Sequence, residues 1–405
     1  MNGKPDLIVV GGGLVGPALA LALAGAGLRV TVLDRETAGR RADPGFDGRA
    51  YAIALASARL LGALGVWPEV EAKAEPIRDI TVDEGIACAT PLLHFDPREL
   101  DEGRVGWIVE DRWLRGALLT AMEAAEGITH LAPAEVAGSE RGAAGASVRL
   151  AGGDTVEAPL IVACDGRRSA LAAGAGIRRL RWDYGQTGLV NAIAHERTHA
   201  GVAHQSFFPG GPFAVLPLPG NRSSLVWSER TREAERLMAL DDAAFTAEVA
   251  ARVGPRLGRI ELAGGRWAYP LDLSLAAAYA APRLALAGDA AHGVHPIAGQ
   301  GLNIGLRDVA ALSEVLVEAA RLGEDIGSEI VLERYQQWRR FDATVMALGM
   351  DALNRLFSNS HPVLRLARDA GLAAVGRMGG LRRLLMREAA GLEGDLPRLL
   401  RGQAL

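Results

Sequence analysis

The sequence predicts an α/β fold, in which a Rossmann-like dinucleotide-binding domain carries an inserted antiparallel sheet and a helical C-terminal region. Three observations lead to this prediction. A charge-free run over residues 7–28 changes from a short apolar strand, through glycines, into a helix. Residues 185–230 alternate apolar and polar residues between Gly, Pro and Asn turns, which is typical of antiparallel strands. A second apolar strand followed by a long amphipathic helix lies at residues 281–325.

Composition narrows the class of protein. The chain has 405 residues, 49% of them hydrophobic, and a net charge of -4, as expected of a globular protein with one or more large cores. Because no overall positive charge is present, nucleic-acid binding has no electrostatic support. Cys88 and Cys164 lie far apart and outside any CxxC motif, which argues against disulfides and structural zinc. We therefore expect a cytoplasmic protein.

The N-terminal apolar run is better explained by a buried βαβ unit than by a membrane span or a signal peptide. Asp6 precedes it, and six glycines and Pro17 interrupt it. DLIVV is typical of a parallel strand covered on both faces, PALALALAGAG of a helix, and LRVTVLDR of the next strand. The unit therefore predicts a parallel sheet at the start of the chain.

The turn inside this unit carries a GxGxxG motif, formed by Gly11, Gly13 and Gly16. Such glycines allow a tight turn, close approach of a pyrophosphate and close packing of helix on strand. Asp34 follows the second strand, where a carboxylate can accept a hydrogen bond from an adenosine ribose. The alternative is a glycine-rich turn in an α/β core. The motif alone does not decide between FAD and NAD.

Three later motifs, in order, complete a recognisable set: DGRAYAIALAS at 47–57, ACDGRRSAL at 163–171 and GDAAHGVHPIAGQGLNIGLRD at 288–308. With GxGxxG they resemble the single-component flavin aromatic hydroxylases, whose fold is that of para-hydroxybenzoate hydroxylase. IVEDR at 108–112 and SLVW at 224–227 make the chain similar to the ubiquinone-biosynthesis branch. The resemblance covers nearly the whole chain. One departure is Ala50, where the branch more often has a bulkier aliphatic residue, and this leaves the flavin contact of Tyr51 open.

The late motif explains how so few polar groups could serve a flavin. Its Gly, Ala and Pro residues leave room for a planar ring against the backbone. Asp289, predicted to end the strand, can accept hydrogen bonds from ribityl hydroxyls. The N–H groups of residues 299–303, at the predicted helix start, would stabilise the flavin edge that becomes negative on reduction. A helix-proximal cap is the alternative role for Asp289.

The resemblance implies a wider set of FAD-binding residues. Arg49 is expected near the flavin and pyrophosphate, Arg112 on the diphosphate or ribityl side, and Val136 with its backbone at the adenine. Asp165 is expected to touch both cofactor loops, although an Asp-Gly turn is its simpler explanation. We predict that Asp111 caps the helix that contains Arg112. The full predicted set is Gly11, Gly13, Leu14, Val15, Gly16, Asp34, Arg35, Arg49, Arg112, Val136, Asp165, Gly288, Asp289, Pro296, Gly299, Gln300, Gly301, Leu302 and Asn303.

His292 and His295 raise the possibility of a metal site. Their i, i+3 spacing would suit metal binding only on a helix, which Pro296 and the nearby glycines oppose. No second cluster of ligands accompanies them. We therefore expect no metal, and we expect both histidines to hydrogen-bond the loop backbone.

The motifs predict a discontinuous FAD-binding domain at residues 1–72, 107–178 and 280–340. Residues 73–106 and 179–279 are assigned to a substrate domain that roofs the flavin, and residues 341–405 to a helical region. From residue 352 onward the chain carries nine Arg and four acidic residues, so a basic amphipathic helix is expected there. This helix would contact an anionic membrane face, another subunit or the protein core.

By resemblance, NADPH or NADH reduces the flavin, and one oxygen atom of dioxygen is then transferred to a phenol ring. The substrate of this branch is a polyprenylated ubiquinone precursor. The alternatives are hydroxylation of another, soluble aromatic compound and a non-catalytic FAD-binding scaffold. No catalytic base is predicted. His195, His204 and Gln205 on the predicted sheet are possible cavity residues.

Overall fold

The structure is a computed structural model that describes residues 4–43, 45, 48–85, 91–358, 371 and 375–405. Asp47, which opens the DGRA motif, and Cys88 lie outside the described residues. Within these ranges, no helix combines the length and the apolar character needed to cross a bilayer.

The strands follow in chain order. They are β1 (Leu7–Val10), β2 (Val30–Leu33), β3 (Ala50–Ala54), β4 (Glu75–Pro76), β5 (Asp79–Glu84), β6 (Leu93–Phe95), β7 (Gly106–Glu110), β8 (Ile128–Leu131), β9 (Val136–Gly142), β10 (Gly145–Leu150), β11 (Thr155–Ala158), β12 (Leu160–Ala163), β13 (Arg179–His195), β14 (Val202–Phe208), β15 (Gly211–Leu218), β16 (Arg222–Arg230), β17 (Ile260–Leu262), β18 (Trp267–Ala276), β19 (Ala280–Ala281), β20 (Leu284–Leu286) and β21 (His292–Gly293).

The α-helices of the described residues are α1 (Val15–Gly25), α2 (Ala38–Arg41), α3 (Leu55–Ala63), α4 (Trp67–Glu71), α5 (Asp111–Ala124), α6 (Ala170–Gly174), α7 (Thr231–Met238), α8 (Asp242–Val253), α9 (Gly301–Arg321), α10 (Glu329–Phe357) and α11 (Gly379–Ala389). Short 3₁₀ turns cover Gly288–Ala290 and Ile297–Gly299, on either side of β21.

The predicted parallel sheet has the order β19-β20-β12-β1-β2-β8. Strand β1 lies inside it, with Leu7 opposite Leu160 of β12 and Val30 of β2. All four of its residues are buried, and helix α1 and strand β11 both contact the strand. A strand buried on both faces must be apolar throughout, which explains the LIVV sequence.

The alternating segments form a second, mostly antiparallel sheet in the order β21-β18-β13-β16-β15-β14-β5-β6. Strand β13, which has 17 residues, lies inside this sheet and pairs with both β16 and β18. Strand β21 belongs to the late motif, and its pairing with β18 joins that motif to the sheet. We call this sheet the roof sheet.

Two boundaries differ from those predicted. Strand β20 ends at Leu286 and not at Asp289, because the backbone turns into a 3₁₀ turn from Gly288, where φ is +63°. Helix α5 begins at Asp111, but Glu110 is its N-cap residue and no side chain caps it. The prediction that Asp111 caps this helix is wrong, because its carboxylate pairs with Arg49 and Arg115 instead.

Candidate active site

The glycine loop between β1 and α1 holds two glycines that the fold itself requires. A Cβ on Gly11, where φ is +117°, would lie 2.2 Å from the carbonyl oxygen of Cys164, and a Cβ on Gly16 would lie 2.0 Å from that of Gly11. A Cβ on Gly13 would have no atom within 4 Å. Gly13 lines the large cavity described below, so its missing side chain leaves room for a ligand.

Asp34, directly after β2, is buried against the glycine loop. A Cβ on Gly12 would lie 2.2 Å from Asp34 Oδ2. The carboxylate accepts hydrogen bonds from Arg41 Nε at 2.7 Å and Nη2 at 3.0 Å, and from the backbone N–H of Glu36 at 3.1 Å. The hydrogen bond to Asp34 raises the pKa of Arg41. The sequence prediction missed Arg41, and a ribose at Asp34 would have to share the carboxylate with it. Arg35 is exposed and lines the cavity.

The late motif forms a loop that runs from the end of β20 to the start of α9. Asp289 lies in its first 3₁₀ turn, and its carboxylate is 45% exposed and lines the cavity. Gly299, where φ is +63°, lies close to strand β3: a Cβ there would be 2.8 Å from the Ala52 Cβ. Glycine is therefore needed at this position for both backbone conformation and space. We call residues 288–300 the flavin loop.

Helix α9 presents its N-terminus to the same cavity. Ile304 is the first residue whose N–H donates to a carbonyl of this turn, that of Gln300 at 3.0 Å. The N–H groups of residues 301–303 therefore precede the intrahelical hydrogen bonds. Asn303, by contrast, uses its side chain to hold β3: Oδ1 accepts from the Ala54 N–H at 3.0 Å, and Nδ2 donates to the Ala52 carbonyl at 2.8 Å. Only its backbone remains for a cofactor.

A buried hydrogen-bond network on helices α9 and α10 supports the flavin loop. Asp308 on α9 accepts hydrogen bonds from the Gly288 N–H at 3.0 Å, from His292 Nε2 at 2.5 Å and from Arg339 Nε of α10 at 2.9 Å. Burial alone would raise the pKa of Asp308, but His292 and Arg339 together hold it below its usual value. The network fixes both ends of the 288–292 segment to helix α9.

The two histidines of the flavin loop therefore differ. His295 Nδ1 accepts a hydrogen bond from the Ile297 backbone N–H at 3.2 Å, which is the kind of contact expected of both. For His292 the expectation is wrong, because its ring bonds to the Asp308 carboxylate, 16 residues further along the chain. No group of three or more His, Cys, Asp or Glu within the described ranges could hold a metal ion.

Arg167, which the sequence prediction did not single out, joins the flavin loop to the roof sheet. Its Nε donates to Asp289 Oδ2 at 3.0 Å, and its Nη1 to Asp272 Oδ1 of β18 at 3.0 Å. Its Nη2 donates to the Val294 carbonyl at 3.1 Å. The DGRR motif that contains it suggested only Asp165 as a functional residue. One planar guanidinium thus holds the start and the middle of the flavin loop against one strand.

The other predicted residues are more dispersed. Arg49 lines the cavity and donates to Asp111 at 3.2 Å. Arg112 directly follows Asp111 in the chain, but its side chain donates to Glu110 at 2.7 Å. Its guanidinium stacks 4.5 Å above the centre of the Trp113 ring. Asp165 lines the cavity, and its Oδ2 accepts from the Ala170 N–H at 3.0 Å. Val136 begins β9, away from the cavity lining.

A cavity of about 2120 Å³ lies between the glycine loop, the flavin loop and the roof sheet. Ligand pockets are more often about 300–1,000 Å³, so this one has room for more than one small molecule. The predicted site residues on its lining are Gly13, Leu14, Val15, Arg35, Arg49, Asp165, Asp289, Pro296, Gly299, Gln300, Gly301 and Leu302. Those not on its lining are Gly11, Gly16, Asp34, Arg112, Val136, Gly288 and Asn303.

Residues 4–347 match the model of a protein family described as FAD binding domain. The chain belongs to this family. It is 48% identical to the ubiquinone hydroxylase UbiL of Rhodospirillum rubrum over 99% of this chain and 93% of the relative. It is 40% identical to the 3-demethoxyubiquinol 3-hydroxylase of Escherichia coli over 96% of this chain and the full length of the relative.

Solved structures of FAD-dependent monooxygenases share the fold. The p-nitrophenol 4-monooxygenase PnpA of Pseudomonas putida superposes with a TM-score of 0.81 at 20% identity, covering 98% of this chain and all of that one. HpxO of Klebsiella pneumoniae, solved with FAD and uric acid, gives a TM-score of 0.76 at 18% identity, covering 97% of both chains. The predicted α/β fold and helical C-terminal region, the family and the FAD cofactor are confirmed.

The site fits the cofactor of this FAD-binding family on its own geometry. Gly13 leaves open space at the N-terminus of α1, and Asp289 offers a half-exposed carboxylate. Helix α9 offers its first N–H groups beside Gly299, which packs against Ala52 without a side chain. These features, on one cavity, are suited to a pyrophosphate, to hydroxyl groups and to a planar ring.

Proposed function

We propose that this FAD-dependent monooxygenase uses NAD(P)H and dioxygen to hydroxylate the aromatic ring of a polyprenylated phenol in ubiquinone biosynthesis. The observation that carries the proposal is one continuous cavity, which joins the flavin loop to a largely apolar compartment beneath the roof sheet and, within the described residues, opens where partly exposed side chains of α10 and α11 line it. A bulky apolar tail needs such an exit. The names of the two relatives, a ubiquinone hydroxylase and a 3-demethoxyubiquinol 3-hydroxylase, support the same substrate class.

In this proposal, residues 13–15 at the start of α1 hold the pyrophosphate, where the helix N-terminus favours negative charge. Asp289 accepts from the ribityl hydroxyls, and the N–H groups of residues 301–303 face the flavin edge that gains charge on reduction. Arg49, on the cavity lining, contributes a positive charge. FAD supplies the hydride acceptance and oxygen activation.

The protein's own part is to position the phenol and to keep water out. Apolar side chains from β5, β6, β14 and β15, including Ile80, Phe95, Phe207 and Leu216, line the compartment beyond the flavin loop. A dry cavity protects the reactive oxygen species from hydrolysis and side reactions. The phenol supplies its own electron density, and we assign no side chain as catalytic base.

Three apolar residues lie at the mouth of the cavity. Val345, Leu353 and Leu385 line the cavity and yet have 54%, 49% and 42% of their surface exposed. Further exposed apolar residues on the same two helices and just before α11 are Phe341, Leu348, Met378 and Leu384, with exposed arginines at 340, 377 and 383. We infer that this mouth contacts an anionic membrane face, because apolar side chains with interspersed arginines suit an interfacial position.

The activity is tested with purified, FAD-loaded protein, NADPH and air. Flavin bleaching by NADPH, measured before air is admitted, should be accelerated by a prenylated phenol; in air the product should be 16 mass units heavier, one atom of dioxygen entering a ring C–H bond and the other leaving as water. Acceleration only by soluble phenols would favour the alternative substrate class. Bleaching that no phenol accelerates, with no hydroxylated product, would favour a non-catalytic scaffold.

The membrane contact is tested by flotation with vesicles. Wild-type protein should float with vesicles rich in phosphatidylglycerol and less with phosphatidylcholine alone. Changing Met378 and Leu384 together to Gln should abolish flotation. Leu322→Gln is the matched control, because Leu322 is 74% exposed at the end of α9 and lies outside the cavity lining. Equal flotation of all variants would contradict the assignment of this surface.

A further inference from the structure

One row of residues crosses five strands of the roof sheet. Gln205 of β14 pairs with Val82 of β5 on one side and with Ala214 of β15 on the other. Ala214 pairs with Val226 of β16, and Val226 with Val190 of β13. All five residues line the cavity. Gln205 is the one polar side chain in this row.

The positions before and after Gln205 on the same face of β14 are also apolar. Ala203 and Phe207, two residues away in either direction, both line the cavity. Side chains two residues apart on a strand point to the same face of the sheet. On this face the Gln205 amide therefore has apolar neighbours on both adjoining strands and on both sides along its own strand. A polar group in such a place weakens the apolar compartment unless something in the cavity binds it.

The amide nitrogen of Gln205 is buried and, within the described part of the chain, has no hydrogen-bond partner. Its neighbour His204 is different, because its Nδ1 bonds to Thr81 Oγ1 at 2.7 Å. The charged residues on the roof side are also paired: Asp272 binds both Arg167 and Arg181. A buried donor without a partner requires an explanation, and a ligand that carries an acceptor is the simplest.

We propose that Gln205, which lines the cavity, determines how the aromatic ring of the substrate is oriented, by turning its amide so that Nε2, which is buried in the structure, donates a hydrogen bond to an oxygen on that ring. This inference rests on the proposed function, since it takes an oxygen-bearing aromatic ring with an apolar tail as the ligand. With the oxygen held at the roof and the tail leading to the mouth, two points of the ring are fixed. The ring carbon presented to the flavin loop then follows from the position of Gln205.

Such a donor should make the enzyme discriminate against rings that lack the oxygen. A site built to hydrogen-bond a substrate leaves its own polar group unpaired when the oxygen is missing. The expected preference for a prenylated phenol over the matching prenylbenzene is about 5- to 150-fold in binding. An apolar roof would show no such preference.

The test measures binding without turnover. FAD-loaded protein is titrated with the prenylated phenol and with the prenylbenzene, and the change in flavin absorbance gives each Kd. In Gln205→Leu the preference should fall to near unity, whereas Gln205→Asn, which keeps a shorter amide, should retain part of it. Val226→Ala is the matched control. It removes apolar volume from the same row and so enlarges the cavity without changing its polarity, and the variant should keep the full preference for the phenol.

A second readout is the product. Wild type should give one hydroxylated isomer, and Gln205→Leu should give more than one, with more NADPH oxidised per product formed. A Gln205→Leu protein that keeps both the binding preference and the single isomer would overturn the inference. Absence of hydroxylation by the wild type would instead count against the proposed function, and the binding preference would still decide the role of Gln205.

Discussion

Asp308 of α9 and His292 of the flavin loop form a 2.5 Å hydrogen bond between two fully buried side chains. The same carboxylate holds Arg339 of α10 at 2.9 Å. Asp308→Asn should lower the free energy of unfolding by about 3–5 kcal/mol, because it removes a buried charge from the network and leaves the Arg339 guanidinium with the partly exposed Asp342 as its remaining counter-charge. It should also weaken FAD binding, since the flavin loop loses its support. Denaturant unfolding and the FAD Kd measure both effects.

The matched control is Asp342→Asn. The Asp342 carboxylate also contacts Arg339 but is 39% exposed, so water compensates for much of its loss. If both variants unfold at the same denaturant concentration as the wild type, the buried network does not support the loop.

The glycine loop allows stability and cofactor binding to be separated. Gly16→Ala should destabilise the fold, because its Cβ would lie 2.0 Å from a backbone oxygen. Gly13→Ala should leave the melting temperature of the apoprotein unchanged, because a Cβ there has no atom within 4 Å. It should weaken FAD binding by about 5- to 150-fold, as overpacking against a ligand would. Unchanged FAD affinity in Gly13→Ala would place the pyrophosphate elsewhere.

Lysine should not be able to replace Arg167 without a loss of FAD affinity. Its planar guanidinium reaches Asp289, Asp272 and the Val294 carbonyl together, and a lysine ammonium cannot reproduce that fork. We expect Arg167→Lys to weaken FAD binding about tenfold or more. Arg181→Lys is the control, because Arg181 also binds Asp272 but is 61% exposed. Equal affinities in a flavin fluorescence titration of both variants would show that the bridge to the flavin loop does not matter for binding.

Two histidines, the half-buried His204 and the buried His295, should make the protein less stable in mild acid. Burial lowers the pKa of His204 to about 3 and that of His295 to about 4, against an ordinary value near 6.5. At a pH between the folded-state pKa of each histidine and its ordinary value near 6.5, the unfolded chain binds a proton that the folded chain does not. The free energy of unfolding therefore falls as the pH falls below about 6.5. Each histidine adds up to about 1.4 kcal/mol per pH unit to this slope.

His204→Gln should reduce the slope, since glutamine can still bond to Thr81 but does not titrate. Denaturant unfolding at several pH values between 7 and 5 measures it. An identical slope in wild type and variant would mean that His204 is protonated in the folded protein.

What the sequence could predict was local. The βαβ unit, the glycine turn and the start of α9 are each encoded within about 25 consecutive residues, by strand length, glycine spacing and helical periodicity. The strand before the flavin loop was predicted three residues too long, because Ala287 and Gly288 continue its apolar run while the backbone already turns.

The supports of the site could not be predicted, because they depend on pairs far apart in the chain. Arg167 reaches Asp272 and Asp289 over 105 and 122 residues, and nothing in the local sequence of either partner indicates the other. The row that isolates Gln205 depends on the register of five strands, whereas the sequence showed only that Gln205 lies on one of them. The DGRR and GLRD motifs did contain Arg167 and Asp308, and their charged residues beside apolar strands and helices were the available signal.

Val345, Leu353 and Leu385 line the cavity and are partly exposed, so within the described residues the cavity opens between α10 and α11. An isoprenoid chain that entered there would have its first units inside and the remainder outside the protein. The enzyme would then not select substrates by the length of the isoprenoid tail. Substrates that differ only in the number of isoprene units should be hydroxylated equally well. The length of the quinone tail in the organism would be set entirely by the enzyme that builds the chain.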